Sequence, residues 1–231
     1  MSIAENLEKV EQRILAACAR AGRSRNSVRL MAVTKTVDAE RILEAARLGL
    51  RLFGENRVQE RQAKQEALAG IAAEWHLIGG LQSNKANRAA ELFDVIESVD
   101  SLALAQRLDH AAERAGRVLP VLLQVNIGRE PQKHGAPPET AVSLAAAIAS
   151  LPHLRLQGLM AVPPAADDPE ASRPWFAALR KLSEQIRPNV SETAQPWELS
   201  MGMSHDFEVA IEEGSTLVRV GSALFGQRPR P

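Results

Sequence analysis

Lys35 stands at the end of Leu30-Met31-Ala32-Val33-Thr34, a largely apolar run that reads as a buried strand. Where such a strand gives way to a loop the surroundings are half dry, and desolvation lowers the pKa of an amine. A neutral amine is a nucleophile toward carbonyls and can form a Schiff base. The plainer reading is a lysine whose stem packs while its ammonium reaches water. Two further stretches bear on the choice. "LSMGMSHDF", residues 199–207, carries Ser200, Gly202 and Ser204 from a strand end into a helix start, and "LVRVGSALFG", residues 217–226, puts Gly221 and Ser222 just past another strand. Small residues let peptide N–H groups approach an anion, and serine hydroxyls add donors. Each stretch alone is an ordinary turn with a helix cap. Together with Lys35 they amount to a carbonyl-trapping amine beside a phosphate cradle. Arg219 interrupts "LVRV" inside a strand, and a buried guanidinium needs a partner. Glu55 or Asp206 would be the ordinary partner; a ligand's ring nitrogen or phosphate is the functional one.

These groups meet only if the strands that carry them end side by side. Strand-like runs near 28–34, 51–54, 74–78, 94–97, 119–126, 155–160, 197–200 and 216–220 alternate with helix-like runs at 3–21, 38–48, 56–69, 83–91, 101–115, 138–149, 170–187 and 204–213. Asp38, Ser101 and the Pro137-Pro138 pair mark helix starts. Alternation of this kind implies a parallel sheet. Eight strands in 231 residues predict an α/β fold, a single (β/α)8 barrel forming one domain over residues 1–231. Strand 1 then neighbours strand 8, and barrels often bind phosphate at the loops after strands 7 and 8. The chain ends too soon after strand 8 for a full eighth helix, and the N-terminal helix is available to close the ring. An open doubly wound sheet is the competing layout. Polar groups recur after other strands: Glu55 and Asn56 in "FGENRVQE", His76, Gln82, Asn84 and Lys85 in "WHLIGGLQSNK", Asn126 and Lys133 in "QVNIGREPQKHG". Lys85 and Lys133, on barrel-top loops, are candidates for assisting ligand uptake or hand-over.

Composition narrows the partners. With 28 basic and 28 acidic residues, the chain has no long-range pull on nucleic acid or acidic membranes. No apolar run approaches the roughly 20 residues of a membrane span. "MSIAENLEKVEQRILAACARAG" reads as a charged amphipathic helix rather than a signal peptide. A single cysteine, Cys18, excludes an internal disulfide, and a cytoplasmic location is expected. The five histidines show no i, i+4 pair, so no metal site is expected.

In order, "AVTKT", "FGENRVQE", "WHLIGGLQSNK", "GLMAVPP" and "LSMGMSHDFEVAIEEGSTLVRVGSALFG" resemble the pyridoxal phosphate homeostasis protein family over about residues 30–226. The resemblance implies a fold type III barrel like the N-terminal domain of alanine racemase. It implies pyridoxal 5′-phosphate as cofactor, held as a Schiff base on Lys35. It assigns the phosphate to Ser200, Gly221 and Ser222, the pyridine nitrogen to Arg219, and a place near the ring to Asn56. Members of the family carry or buffer the cofactor in intracellular vitamin B6 homeostasis, with no robust turnover. The partners implied are the cofactor and, transiently, apo enzymes that use it; a monomer is expected. This chain departs from the family pattern at Ser222, often threonine, at Gly80, where a larger residue is common, and at Arg57, where an aromatic is common.

Two enzymatic alternatives use the same groups. An amino-acid racemase of this fold needs a second base, which in alanine racemases is a tyrosine from a partner's β-domain; this sequence holds no tyrosine and leaves no room for that domain. A Schiff-base aldolase would use the lysine and the cradle on a sugar phosphate without a cofactor.

Overall fold

The structure, a computed structural model, describes residues 2–190 and 197–226. Eight parallel strands, β1 (Arg29–Val33), β2 (Leu52–Glu55), β3 (Glu74–Leu77), β4 (Val95–Val99), β5 (Leu119–Gln124), β6 (Leu154–Met160), β7 (Glu198–Met203) and β8 (Leu217–Val220), close into a barrel in chain order. The last contact pairs β8 with β1, through Leu30↔Val218 and Met31↔Arg219. The strands are buried almost throughout, as expected when helices cover a parallel sheet on one side and side chains fill it on the other. The open doubly wound sheet is thereby excluded.

The helices α1 (Ile3–Arg20), α2 (Ala39–Arg47), α3 (Val58–Lys64), α4 (Ala86–Leu92), α5 (Leu102–Arg114), α6 (Pro138–Ala149), α7 (Arg173–Ile186), α8 (Phe207–Glu212) and α9 (Ser222–Phe225) form the outer layer. Ser101 caps α5 by accepting from the Leu104 N–H, whereas Asp38 precedes α2 without a capping bond. A capping box between Ser2 and Glu5 starts α1. Its buried stripe of Ile3, Val10, Ile14, Ala17 and Cys18 lies on the barrel core. Among the described residues β8 is followed by the single turn α9, and α1 packs against both α8 and α9. Asn6 Nδ2 donates to the Leu224 carbonyl at 2.9 Å, and Arg13 binds Glu208 through both Nε and Nη2. The N-terminal helix thus closes the ring where the eighth helix is short. Cys18 is a small core residue, as its place on the stripe predicts.

β7 contains the local feature that matters most. Its register with β8 shifts between Ser200 and Met203. Gly202 sits there at φ +92°, and a Cβ on it would lie 2.5 Å from that of Ala210. Only glycine allows that bulge against α8. Among the described residues no helix is long and apolar enough to cross a membrane, and no group of three acidic, histidine or cysteine residues is placed to hold a metal.

Candidate functional site

At the C-terminal end of the barrel, a cavity of about 420 Å³ is lined by Val33, Lys35, Asn56, Ile78, Val162, Met203, Ser204, His205, Arg219, Gly221 and Ser222. Five of the six residues singled out from the sequence meet there: Lys35, Asn56, Arg219, Gly221 and Ser222. They come from the ends of β1, β2 and β8, far apart in the chain and adjacent in the barrel.

Lys35 follows β1 in a turn and is half-buried. Both neighbours are anchored. The Thr34 carbonyl accepts from Lys64 Nζ at 2.9 Å, and Thr34 Oγ1 donates to Glu55 Oε1 at 2.8 Å. The Thr36 N–H donates to Glu60 Oε2 at 3.2 Å. Thr36 adopts φ +60°, a conformation unfavourable for a β-branched residue. Strained backbone of this kind persists only where its surroundings over-determine it. Glu55 is fully buried; burial pushes its carboxyl pKa up, opposed by the ammonium of Lys64 at 2.7 Å. Glu55 therefore braces the turn that carries Lys35 and is not the partner of Arg219.

The cradle reads off the backbone. The N–H groups of Gly221 and Ala223 converge on one oxygen, Ser204 Oγ, at 3.2 and 3.3 Å. The hydroxyl of Ser204 thereby ties the end of β7 to the start of α9 beside the cavity. The Gly202 bulge carries Ser204 to this position.

Arg219 is 4% exposed. Its Nη2 donates to the Ala161 carbonyl at 2.9 Å and its Nη1 to Ser200 Oγ at 2.6 Å. Burial lowers its pKa, offset by Glu97 and Asp206, and an arginine stays charged regardless. Asp206 is taken up elsewhere, accepting from the Met203 N–H and from Ser172 Oγ. Ser200, the sixth, is fully buried and is not among the residues lining the cavity. Its hydroxyl donates to Glu97 Oε2 at 2.5 Å while accepting from Arg219, so it orients the guanidinium and has no proton left for a ligand.

His76 is likewise not at the barrel top. It is fully buried in the interior, with Nδ1 2.6 Å from Glu97 Oε1 and Nε2 2.8 Å from Glu74 Oε1. Glu97 is a residue the sequence reading missed. The signal was present, because "VIESV" sets one carboxylate inside a largely apolar strand, and such a charge is not buried unpaired.

The loop candidates divide. Asn126 bonds within its own loop, with Nδ2 donating to the Glu130 carbonyl. Lys133 Nζ donates to the Pro163 carbonyl at 2.9 Å and pairs with Glu130. Lys85, Gln82, Arg57 and His134 line a neighbouring cavity of about 740 Å³. Gly80 makes room for the His134 ring there, since a Cβ would come within 2.8 Å of it.

Fold and cavity together define a barrel of the alanine racemase type: the sequence model described as "Alanine racemase, N-terminal domain" matches residues 5–229. At lower identity the same fold recurs in alanine racemase from Corynebacterium glutamicum, 21% identical with a TM-score of 0.72, where the chain covers 61% of the longer protein. Within that class the resemblance is much closer to a smaller group. Pyridoxal phosphate homeostasis proteins of Pseudomonas aeruginosa and Aquifex aeolicus are 46% and 44% identical, over 98% and 99% of this chain and 96% and 99% of theirs. PipY of Synechococcus elongatus PCC7942, solved with pyridoxal phosphate bound, superimposes with a TM-score of 0.84 at 40% identity, covering 97% of this chain and all of the other. The chain belongs to the pyridoxal phosphate homeostasis protein family.

Proposed function

We propose that this chain binds pyridoxal 5′-phosphate in the 420 Å³ cavity as a Schiff base on Lys35, and carries or buffers it in vitamin B6 homeostasis. The observation that carries the reading is the convergence of three unlike groups on one cavity: an amine, a buried guanidinium and the small hydroxyl-bearing cluster of Ser204, Gly221 and Ser222 at the start of α9. That donor set fits the ligand's three functions, an aldehyde, a ring nitrogen and a phosphate. The cavity volume lies within the usual range for small-molecule sites. PipY, solved with the cofactor bound, and the relatives named for its homeostasis support the same reading.

When bound, the cofactor supplies an aldehyde and an electron-withdrawing ring. Lys35 would hold the cofactor at that aldehyde through its amine. Gly221, Ser222 and Ser204 would hold the phosphate, Arg219 would serve the ring nitrogen, and Asn56 would contribute beside the ring. Arg219 donates a hydrogen bond without giving up a proton, which keeps the ring a weak electron sink. No tyrosine is present to act as a second base on the opposite face. The chain therefore works as a single-domain, monomeric carrier in the cytoplasm, without robust turnover, meeting apo enzymes only transiently.

Borohydride reduction of the protein loaded with pyridoxal phosphate tests this directly. Intact mass should rise by one reduced cofactor, and peptide mapping should locate it on Lys35. A reduced protein with no adduct would overturn the assignment. Turnover of an alanine enantiomer at about 1 per second or faster would replace the carrier with a racemase.

A further inference from the structure

The polar chain below Arg219 does not stop at Glu97. Glu97 lies on β4 and Ser200 on β7, strands that are not neighbours, so their 2.5 Å bond crosses the barrel interior. Behind Glu97 come His76 and Glu74 on β3, then Arg29 at the start of β1, which also holds Glu198 Oε1 at 2.6 Å. Glu198, Arg29 and Glu74 line a second cavity, of about 670 Å³, on the opposite face of the barrel. Both nitrogens of His76 face carboxylate oxygens, which requires the doubly protonated ring. Burial alone would lower the pKa of that ring; the hydrogen bonds and charges of Glu74 and Glu97 outweigh it and push it up to about 9. From the cofactor cavity downward the charges then run Arg219 positive, Glu97 negative, His76 positive, Glu74 negative, Arg29 positive and Glu198 negative.

We propose that Glu97 is a positioning residue for Arg219: by taking the only proton of Ser200 it leaves that oxygen a fixed acceptor, which aims the guanidinium at the cofactor's ring nitrogen. The assignment rests on the cofactor reading given above. Ser200 has one O–H, and the geometry commits it to Glu97 Oε2. Nothing else in the contacts of Ser200 fixes its rotation. If Glu97 is made neutral, that hydroxyl is free to turn, and the buried guanidinium loses both its oriented acceptor and the negative charge of Glu97. His76 in turn holds Glu97 by the other oxygen. The ring environment of a cofactor at the barrel top is thus set by a residue that does not touch it.

Cofactor titration of the apo protein, followed by the absorbance of the bound cofactor, tests the proposal in Glu97→Gln, Ser200→Ala and the double variant. Each single variant should weaken binding roughly tenfold, as expected for one lost charge-assisted hydrogen bond, and should shift the absorbance maximum. The double variant should be no worse than either single, because one bridge is broken only once. Additive losses, or a Ser200→Ala protein with unchanged affinity and spectrum, would overturn the proposal. If Glu97→Gln does not fold, the Ser200→Ala affinity and spectrum decide alone. Wild-type protein reduced in parallel separates the two claims: no adduct on Lys35 sinks the cofactor reading, whereas a normal adduct with an unaltered Ser200→Ala spectrum sinks only the role of Glu97.

Discussion

Protonation of His76 ties the stability of the barrel interior to pH. In the unfolded chain an imidazole titrates near 6.5, and here it is held up to about 9. The folded state therefore binds this proton more tightly, which stabilises it fully below about pH 6.5. That contribution, on the order of 3 kcal/mol, is lost as the pH rises toward 9. Glu74 acts in the opposite direction. The hydrogen bond from His76, with Arg29 adding to it, holds its carboxyl at about 2, so its contribution is present above the ordinary carboxylate range and lost as pH falls toward 2. Denaturant unfolding from pH 6 to 9.5 should show stability declining in the wild type. In His76→Gln that slope should flatten, with a loss of roughly 3 kcal/mol at pH 6 from removing the cation between Glu97 and Glu74. Lys35, Arg219, Gly221 and Ser222 were legible because each breaks its local pattern: a charge at the end of an apolar strand, a charge inside one, or small residues just past one. Glu97 breaks its pattern equally but sits mid-strand, where nothing local says which way it points.

At the scale of elements, the strands were legible to within a residue or two except at the end of β7, which runs to Met203 rather than 200, and the helix starts less so. The run 56–69 yields only Val58–Lys64 as α-helix, and the run 83–91 begins with a 3₁₀ turn at Ser83–Lys85. α8 starts at Phe207 rather than 204, because Ser204 belongs to the turn that receives the Gly221 and Ala223 N–H groups. These ends are set by tertiary contacts that local propensity does not contain. The β7 bulge is the element-level device on which the cradle depends. Gly202→Ala would force an L-residue to φ +92° against Ala210, and should lower stability by about 1–3 kcal/mol. It should also weaken cofactor binding through displacement of Ser204. Chemical unfolding of the apo protein and cofactor titration read the two effects separately.

For the whole molecule, ring closure falls to the N-terminal helix. Ile14 is completely buried between α1 and the barrel, on the outside and away from the cofactor cavity. Ile14→Ala should cost about 2–4 kcal/mol in unfolding free energy while leaving the reduced adduct on Lys35 unchanged. A loss of adduct at full stability would show that α1 does more than close the ring.

Residue order by itself determined eight strands alternating with helices, the strand-end amine, the small residues after the last two strands and the arginine inside the last one. Each is written in periodicity or in a short stretch, within reach of a local reading. Closed barrel against open sheet was left to the tertiary structure. Nor did residue order decide which carboxylate answers Arg219. Glu55, Asp206 and Glu97 are chemically alike, and the choice depends on which side chains meet across the barrel. Ser200 and Glu97 are 103 residues apart in the chain. Only closure of the sheet, which points alternate residues of every strand into one interior, brings them to hydrogen-bonding distance.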